Sequence, residues 1–251
     1  MRHFMLCALL AIPLASQAAE PPIQSSTLQF SNIAHDSWFQ LPAGPVGLQV
    51  LSDTAGATTV TTPAWETAVD LSVGGSQALG DTYRLSMDLT PKAGYRITGF
   101  SFSATVSGSL YTSTLNTSDP RYHLDSPAYA ANTVTVFLPD GKGGFTQTHL
   151  DNVTAATPLS LERHDLSILG TTQFDFDTRV FTQSQYGQYT FYDPDTQDIW
   201  SSKLPASASL SLSNPTLTIY TALAPVPEPA TWAMLLAGVG IVGVARRRRQ
   251  S

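Results

Sequence analysis

Through the middle of the chain, apolar and polar residues alternate singly. In Tyr83-Arg84-Leu85-Ser86-Met87-Asp88-Leu89, the residues Tyr83, Leu85, Met87 and Leu89 fall on one side, the two-residue period of a strand with one buried face. After the turn Thr90-Pro91-Lys92-Ala93-Gly94 the pattern resumes at Tyr95-Arg96-Ile97 and leads through Gly99 to Phe100-Ser101-Phe102-Ser103-Ala104-Thr105-Val106. Two alternating runs joined by a short Pro- and Gly-containing turn predict a hairpin. Further strands are predicted over residues 28–33, 47–52, 133–138, 173–181 and 188–192, and as a pair over 207–212 and 216–222. Pro139-Asp140-Gly141-Lys142-Gly143-Gly144 and Asp193-Pro194-Asp195 read as turns. No stretch between residues 19 and 224 sustains a helical period, so the expected fold is all-β. Its expected form is one antiparallel β-sandwich, jelly-roll-like, spanning residues 19–224.

The two ends follow different rules. Residues 1–18 begin with Arg2, pass through an apolar run from Phe4 to Ala15 and finish on Ser16-Gln17-Ala18, the pattern of a secretory signal removed by signal peptidase. Cys7, the single cysteine, lies inside that segment, so the exported part is expected to hold no disulfide and no thiolate ligand. At the other end Pro225-Val226-Pro227-Glu228-Pro229 places three prolines in five residues, an extended spacer over 225–229. Residues 230–245 carry no charge and stop at Arg246, Arg247, Arg248 and Arg249. At 1.5 Å per residue, such a helix is roughly 24 Å long, a short transmembrane helix whose thinner span is met by bilayer thinning, arginine snorkelling and the interfacial Trp232. The arginines in the tail, 246–251, are expected to stay cytoplasmic and leave the large domain on the far side of the membrane. Gly238-Val239-Gly240-Ile241-Val242-Gly243 matches a dinucleotide-binding spacing, but neither the strand before it nor the acid after it is present, and small residues packing inside a membrane explain it.

Val226-Pro227-Glu228-Pro229-Ala230, then Trp232, an apolar span containing glycines and a terminal arginine cluster together resemble the PEP-CTERM sorting signal of Gram-negative bacteria. The triplet Pro227, Glu228, Pro229 agrees with that motif in order and place. The resemblance implies an exosortase, a membrane-embedded cysteine protease, as a processing partner. It also implies a life beside exopolysaccharide, with inner-membrane anchoring and a periplasmic ectodomain before processing and the cell surface or medium afterwards. It covers only the tag and carries nothing about the activity of residues 19–224.

Charge narrows the partners of that ectodomain. Taking Arg2 and the four terminal arginines from thirteen basic residues leaves eight, and taking Glu228 from nineteen acids leaves eighteen, so the ectodomain stands near minus ten. Nucleic acid and anionic lipid surfaces need clustered Lys and Arg and are not expected partners. Asp193, Asp195 and Asp198 set three carboxylates in six residues, hard oxygen ligands that suit calcium; a solvated turn competes with that reading because the glycine and distal glutamate of a calcium loop are missing. In Phe174-Asp175-Phe176-Asp177 the two acids share one side of a strand, which alternation of core phenylalanine and exposed aspartate explains without catalysis. His35-Asp36 and His164-Asp165 are sequence neighbours and so point to opposite faces of a strand, and no H-E-x-x-H or G-x-S-x-G occurs. No catalytic residue is assigned.

Aromatic side chains are the remaining candidates for ligand contact: Trp38, Trp65, Trp200 and Tyr189, the last within a cluster with Tyr186, Phe191 and Tyr192. Exposed rings stack on sugars, while buried ones fill cores. The expected function is a non-enzymatic envelope or matrix protein working by adhesion or exopolysaccharide contact. The alternative is a secreted carbohydrate-active enzyme or other hydrolase delivered by the same tag. Two carboxylates converging from different strands would mark the enzyme, and a flat aromatic strip would mark the binder.

Overall fold

The alternation at residues 83–89 belongs to a longer strand in which every second residue from Asp81 to Pro91 is buried, the signature of a sheet with one face in a core. A computed structural model describes residues 20–37 and 46–225. The sequence assignments at 1–18, Trp38, Pro227–Pro229, 230–245 and Arg246–Arg249 lie outside these residues.

In chain order the strands are β1 (Ile23–Gln24), β2 (Leu28–Ser37), β3 (Gln49–Asp53) and β4 (Ala57–Thr61), then a short helix α1 (Pro63–Ala68), then β5 (Leu71–Gly74), β6 (Gln77–Pro91) and β7 (Tyr95–Thr112). They continue as β8 (Tyr122–Ser126), β9 (Tyr129–Pro139), β10 (Phe145–Asp151), β11 (Thr157–Arg163) and β12 (Thr172–Gln185). The last are β13 (Gly187–Tyr192), β14 (Ile199–Leu204) and β15 (Ala206–Leu223). One sheet runs β1-β2-β6-β12-β9-β10, a second runs β11-β7-β15-β4-β3 with β5 also on β15, and a small third runs β14-β13-β8. The ladders are antiparallel. The expected all-β antiparallel sandwich is present, with the first two sheets face to face.

Aromatic pairs join those two layers. Phe100 of β7 meets Phe174 of β12 at 4.8 Å between ring centroids, and Phe102 meets Phe176 at 4.7 Å. Leu28, Phe30, Leu85, Leu89, Val134, Val136 and Leu217 are fully buried around them. Burial on this scale, at about 25 cal/mol per Å² of apolar surface, is the main stabilising term.

Two pairing expectations fail. The strands before and after residues 92–94 do not form a hairpin: β6 pairs with β2 and β12, β7 pairs with β11 and β15, and the turn carries the chain from one sheet to the other. Both edges of each strand are occupied, so their apolar sides meet across the core instead of their edges meeting in a ladder. Gly94, at φ 85°, makes the corner that Lys92 holds by donating its backbone N–H to Thr27 and accepting from Tyr95. Residues 207–212 and 216–222 are likewise one strand, β15, interrupted between Ser213 and Thr216 by a bulge. Asn214 there has φ 52° and donates its backbone N–H to Glu66 of α1 at 3.1 Å, and Pro215 can sit in the strand because the bulge asks no ladder hydrogen bond of it.

The helix α1 was not anticipated. Thr62 caps it by accepting from the Ala64 N–H, and Pro63 occupies the first turn, where its missing donor costs nothing. Six residues are too few to display a helical period. The helix inserts Trp65 between the sheets, edge-on to Phe102 at 5.6 Å and Phe176 at 5.3 Å. Trp65 is 0% exposed, which corrects its assignment as a ligand-contact residue: it is core.

Candidate functional site

The small sheet is built from connections at one end of the sandwich. β8 lies in the passage from β7 to β9, and the β13–β14 hairpin lies in the passage from β12 to β15. Gly187 lets the hairpin leave: a Cβ there would stand 2.5 Å from the backbone nitrogen of Ala128. Side chains directly opposite in neighbouring strands share a face. Phe191 stands opposite Trp200 on one side and Tyr122 on the other, so the three form a row across the sheet. Trp200 and Phe191 are stacked, centroids 5.4 Å apart and planes 16° from parallel, and Phe191 and Tyr122 are 4.7 Å apart. Tyr189, two residues before Phe191, joins the same face 6.0 Å from Tyr122.

These rings are not core. Trp200 is 56% exposed, and Leu124, opposite Tyr189, is exposed beside it. Arg121 completes the platform with its guanidinium 5.4 Å from the centre of the Phe191 ring, a cation–π distance. Asp119 fixes that guanidinium by accepting from Nη2 at 2.6 Å and Nε at 3.0 Å. The Arg121 side-chain and backbone N–H donors hold the Asp119 carboxyl below the usual carboxylate range and raise Arg121 in turn, so the pair stays charged. On the opposite face Asp125 accepts from the Thr190 hydroxyl at 2.6 Å and lies 3.0 Å from His123; those two hydrogen bonds lower its pKa.

The expected site residues are therefore sorted differently. Exposed Trp200 and half-buried Tyr189 share one face of the small sheet through Phe191, Trp65 is removed to the core, and Trp38 lies outside the described residues. Phe191 was visible only as a member of a cluster, and Tyr122 and Arg121 were missed. The available signal was the alternation Tyr122-His123-Leu124-Asp125.

Asp193, Asp195 and Asp198 occupy the tip of the β13–β14 hairpin. Asp193 accepts from the backbone N–H of Asp195 at 3.0 Å, its own N–H donates to the carbonyl of Asp198, and Gln197 takes φ 62°. This is a turn satisfying its own backbone. Among the described residues no group of three His, Cys, Asp or Glu side chains is arranged to hold a metal ion, so the calcium assignment finds no ligand set there.

Asp175 and Asp177 do share one side of β12, but Asp177 is not the exposed residue that alternation predicts; it is 6% exposed, with Arg179 at 3.2 Å and Arg84 at 3.9 Å. Two acids on one strand, one of them held by arginines, do not form the facing pair that glycoside hydrolysis uses. His123, His149 and His164 each lie beside an acid two residues away on an exposed surface, at 3.0, 3.8 and 3.1 Å, and among the described residues none of the three rings hydrogen-bonds a hydroxyl; Thr190 bonds Asp125 and not His123.

No curated protein matches the chain. Among solved structures, the one described as TmCBM61 in complex with beta-1,4-galactotriose is 8% identical, covering 70% of this chain and 88% of that one at a TM-score of 0.27. A structure described as Family 16 Carbohydrate Binding Module-2 is 13% identical, covering 64% and 84% at a TM-score of 0.24. Overlaps of this size assign neither fold nor ligand to this chain, and the fold rests on the sheets themselves. Residues 225–249 match the model of the PEP-CTERM protein-sorting motif, and the chain carries that sorting signal.

Proposed function

We propose that this is an exported envelope or matrix protein that an exosortase sorts and that contacts exopolysaccharide without chemical turnover. In this reading residues 230–245 hold it in the inner membrane, with the jelly-roll-like ectodomain in the periplasm, until processing passes it to the cell surface or medium. The observation that carries the binding role is the aromatic row of exposed Trp200 and half-buried Phe191 and Tyr122, with half-buried Tyr189 beside it. A pyranose ring presents C–H bonds on its flat faces and hydroxyls on its rim, so it can lie on such a platform while the hydroxyls keep their water. A contiguous apolar face on a soluble surface marks an interaction site, and Arg121 at its edge offers donors to rim oxygens.

The test is retention of the purified protein in native gels containing exopolysaccharide from the producing bacterium. Trp200→Ala is expected to weaken retention about tenfold, a loss of about 1.4 kcal/mol, with an unchanged unfolding temperature because the residue lies outside the core. Equal retention of wild type and variant, or no retention of either, would overturn the assignment.

A further inference from the structure

The outward face of the first sheet carries a chemically different arrangement. Arg84 on β6 stands opposite Asp177 on β12, Asp177 opposite Phe137 on β9, and Phe137 opposite Gln147 on β10. Four neighbouring strands thus each contribute one side chain to a line across the sheet. With Asp175, Arg179 and Phe145 these residues line a cleft of about 520 Å³, within the range of about 300–1,000 Å³ typical of small-molecule sites. Phe145 and Asp175 also line an adjoining hollow of about 250 Å³ beside Gly141, Gly143 and Gly144, so the groove continues towards the end of the sheet.

The side chains in the cleft are organised by one buried acid. Arg179 donates to Asp177 Oδ2 at 3.2 Å, Arg84 approaches the same oxygen at 3.9 Å, and the Arg179 guanidinium lies 4.6 Å from the centre of the Phe137 ring. Both arginine side chains remain more than half exposed, so they keep N–H donors turned to the cleft. Asp177 Oδ1, in contrast, is sealed from water and receives no hydrogen bond. Leaving a buried acceptor unmet costs about 1–3 kcal/mol. The Thr178 and Thr182 hydroxyls on the same strand are likewise buried and unmet, so the deficit does not by itself single out Asp177; the two arginines it holds at the cleft do.

The charges decide the ligand class. Arg84 and Arg179 beside the acids disfavour a cation, and Asp175 and Asp177 beside the arginines disfavour an anion, leaving the lining balanced. What the lining offers is donors from two guanidiniums, acceptors from Asp175, both kinds from the Gln147 amide, and an apolar wall in Phe145, which is 58% exposed. A ligand that matches has hydroxyls, which donate and accept alike, around an uncharged body with an apolar face. We propose that this cleft is a second binding site, for an uncharged oligosaccharide running along the groove, in which Asp177 positions the two arginines. It goes beyond the aromatic row and does not depend on that row binding anything.

The experiment measures binding of fluorescently labelled hexasaccharides to the purified full-length protein by anisotropy. The probes are neutral hexamers built from glucose, galactose, mannose or xylose, with an oligogalacturonate and a chitosan hexamer as charged counterparts. At least one neutral hexamer is expected to bind, with an affinity that rising salt leaves unchanged within about twofold. That binding should persist in Trp200→Ala and weaken about tenfold in Phe145→Ala and in Gln147→Ala, both exposed and not expected to disturb folding. Asp177→Asn, close to isosteric, should weaken binding similarly while leaving the unfolding temperature unchanged or raised, which a purely structural acid would not do. The cleft is refuted if no neutral hexamer binds, if a charged hexamer binds more tightly, or if Phe145→Ala and Gln147→Ala bind like wild type. Loss in Trp200→Ala alone would place the binding on the aromatic row and refute the cleft while leaving the proposed function standing.

Discussion

Trp65→Ala is expected to lower folding stability by about 3–5 kcal/mol, read from urea or thermal unfolding of the purified protein. The indole is fully buried and lies edge-on to both Phe102 and Phe176, which themselves pack at 4.7 Å. Its removal empties the place where the helix meets both sheets. Each aromatic contact of this kind adds about 0.5–1.5 kcal/mol beyond the buried area. The cost does not come from a lost hydrogen bond, because Trp65 Nε1 has no acceptor. For that reason Trp65→Phe should be much milder: it keeps a ring for Phe102 and Phe176 and discards an unmet donor. The helix cannot readily follow a shrunken side chain into the gap, since Thr62 at its start is tied to the carbonyl of Val46 and Glu66 to the backbone of Asn214. A loss below about 1 kcal/mol would mean that the site collapses freely and that α1 is not the wedge described. At temperatures where the variant is folded, retention on polysaccharide should equal wild type, in contrast to Trp200→Ala.

The contrast between those two tryptophans shows how far the sequence could be read. Alternation identified Tyr83, Leu85, Met87 and Leu89 as inward-facing because a strand has only two sides and one was apolar. It could not say which strand lies beside which. The run containing Phe100 and Phe102 looks like the second arm of a hairpin and is the opposite wall of the core, since alternation specifies a face and not an edge partner. Both candidate sites fall into the same blind spot. Tyr122, Phe191 and Trp200 become a row only through the register of three strands, and Arg84, Asp177, Phe137 and Gln147 only through the register of four. Asp177 reads as a solvated residue between two phenylalanines until the arginines of β6 and β12 and the ring of Phe137 are placed around it. Trp65 was open to misreading because the helix that buries it is shorter than two turns. The sorting motif at residues 225–249, by contrast, was legible from its residues, because its information is linear.

Deleting residues 227–249 is expected to shift the protein from the membrane fraction to the soluble fraction or medium, lowering membrane-bound protein about tenfold or more, since peripheral contacts do not approach the hold of an inserted helix. Fractionation and immunoblotting measure it. The sandwich should not notice: β15 ends at Leu223, and Ala224 donates its backbone N–H to Gly94 at 2.8 Å, which ties the end of the strand to the turn between the two sheets before the tag begins. The deleted protein should therefore keep its unfolding temperature, which separates a sorting defect from a folding defect. Replacing Pro227, Glu228 and Pro229 by alanine tests a different step within the matched segment 225–249. The apolar run and the four arginines remain, so the variant should still insert with its arginines on the cytoplasmic side, but it should accumulate there unprocessed, larger than the wild-type product by the uncut tail. If the deletion left membrane association unchanged, the anchor would have to lie elsewhere in the chain. If the alanine variant were processed like wild type, the segment would be an anchor without being an exosortase substrate. The two variants thus divide what the segment does by hydrophobic length and charge from what it does by being recognised, and only the second depends on the order of Pro227, Glu228 and Pro229.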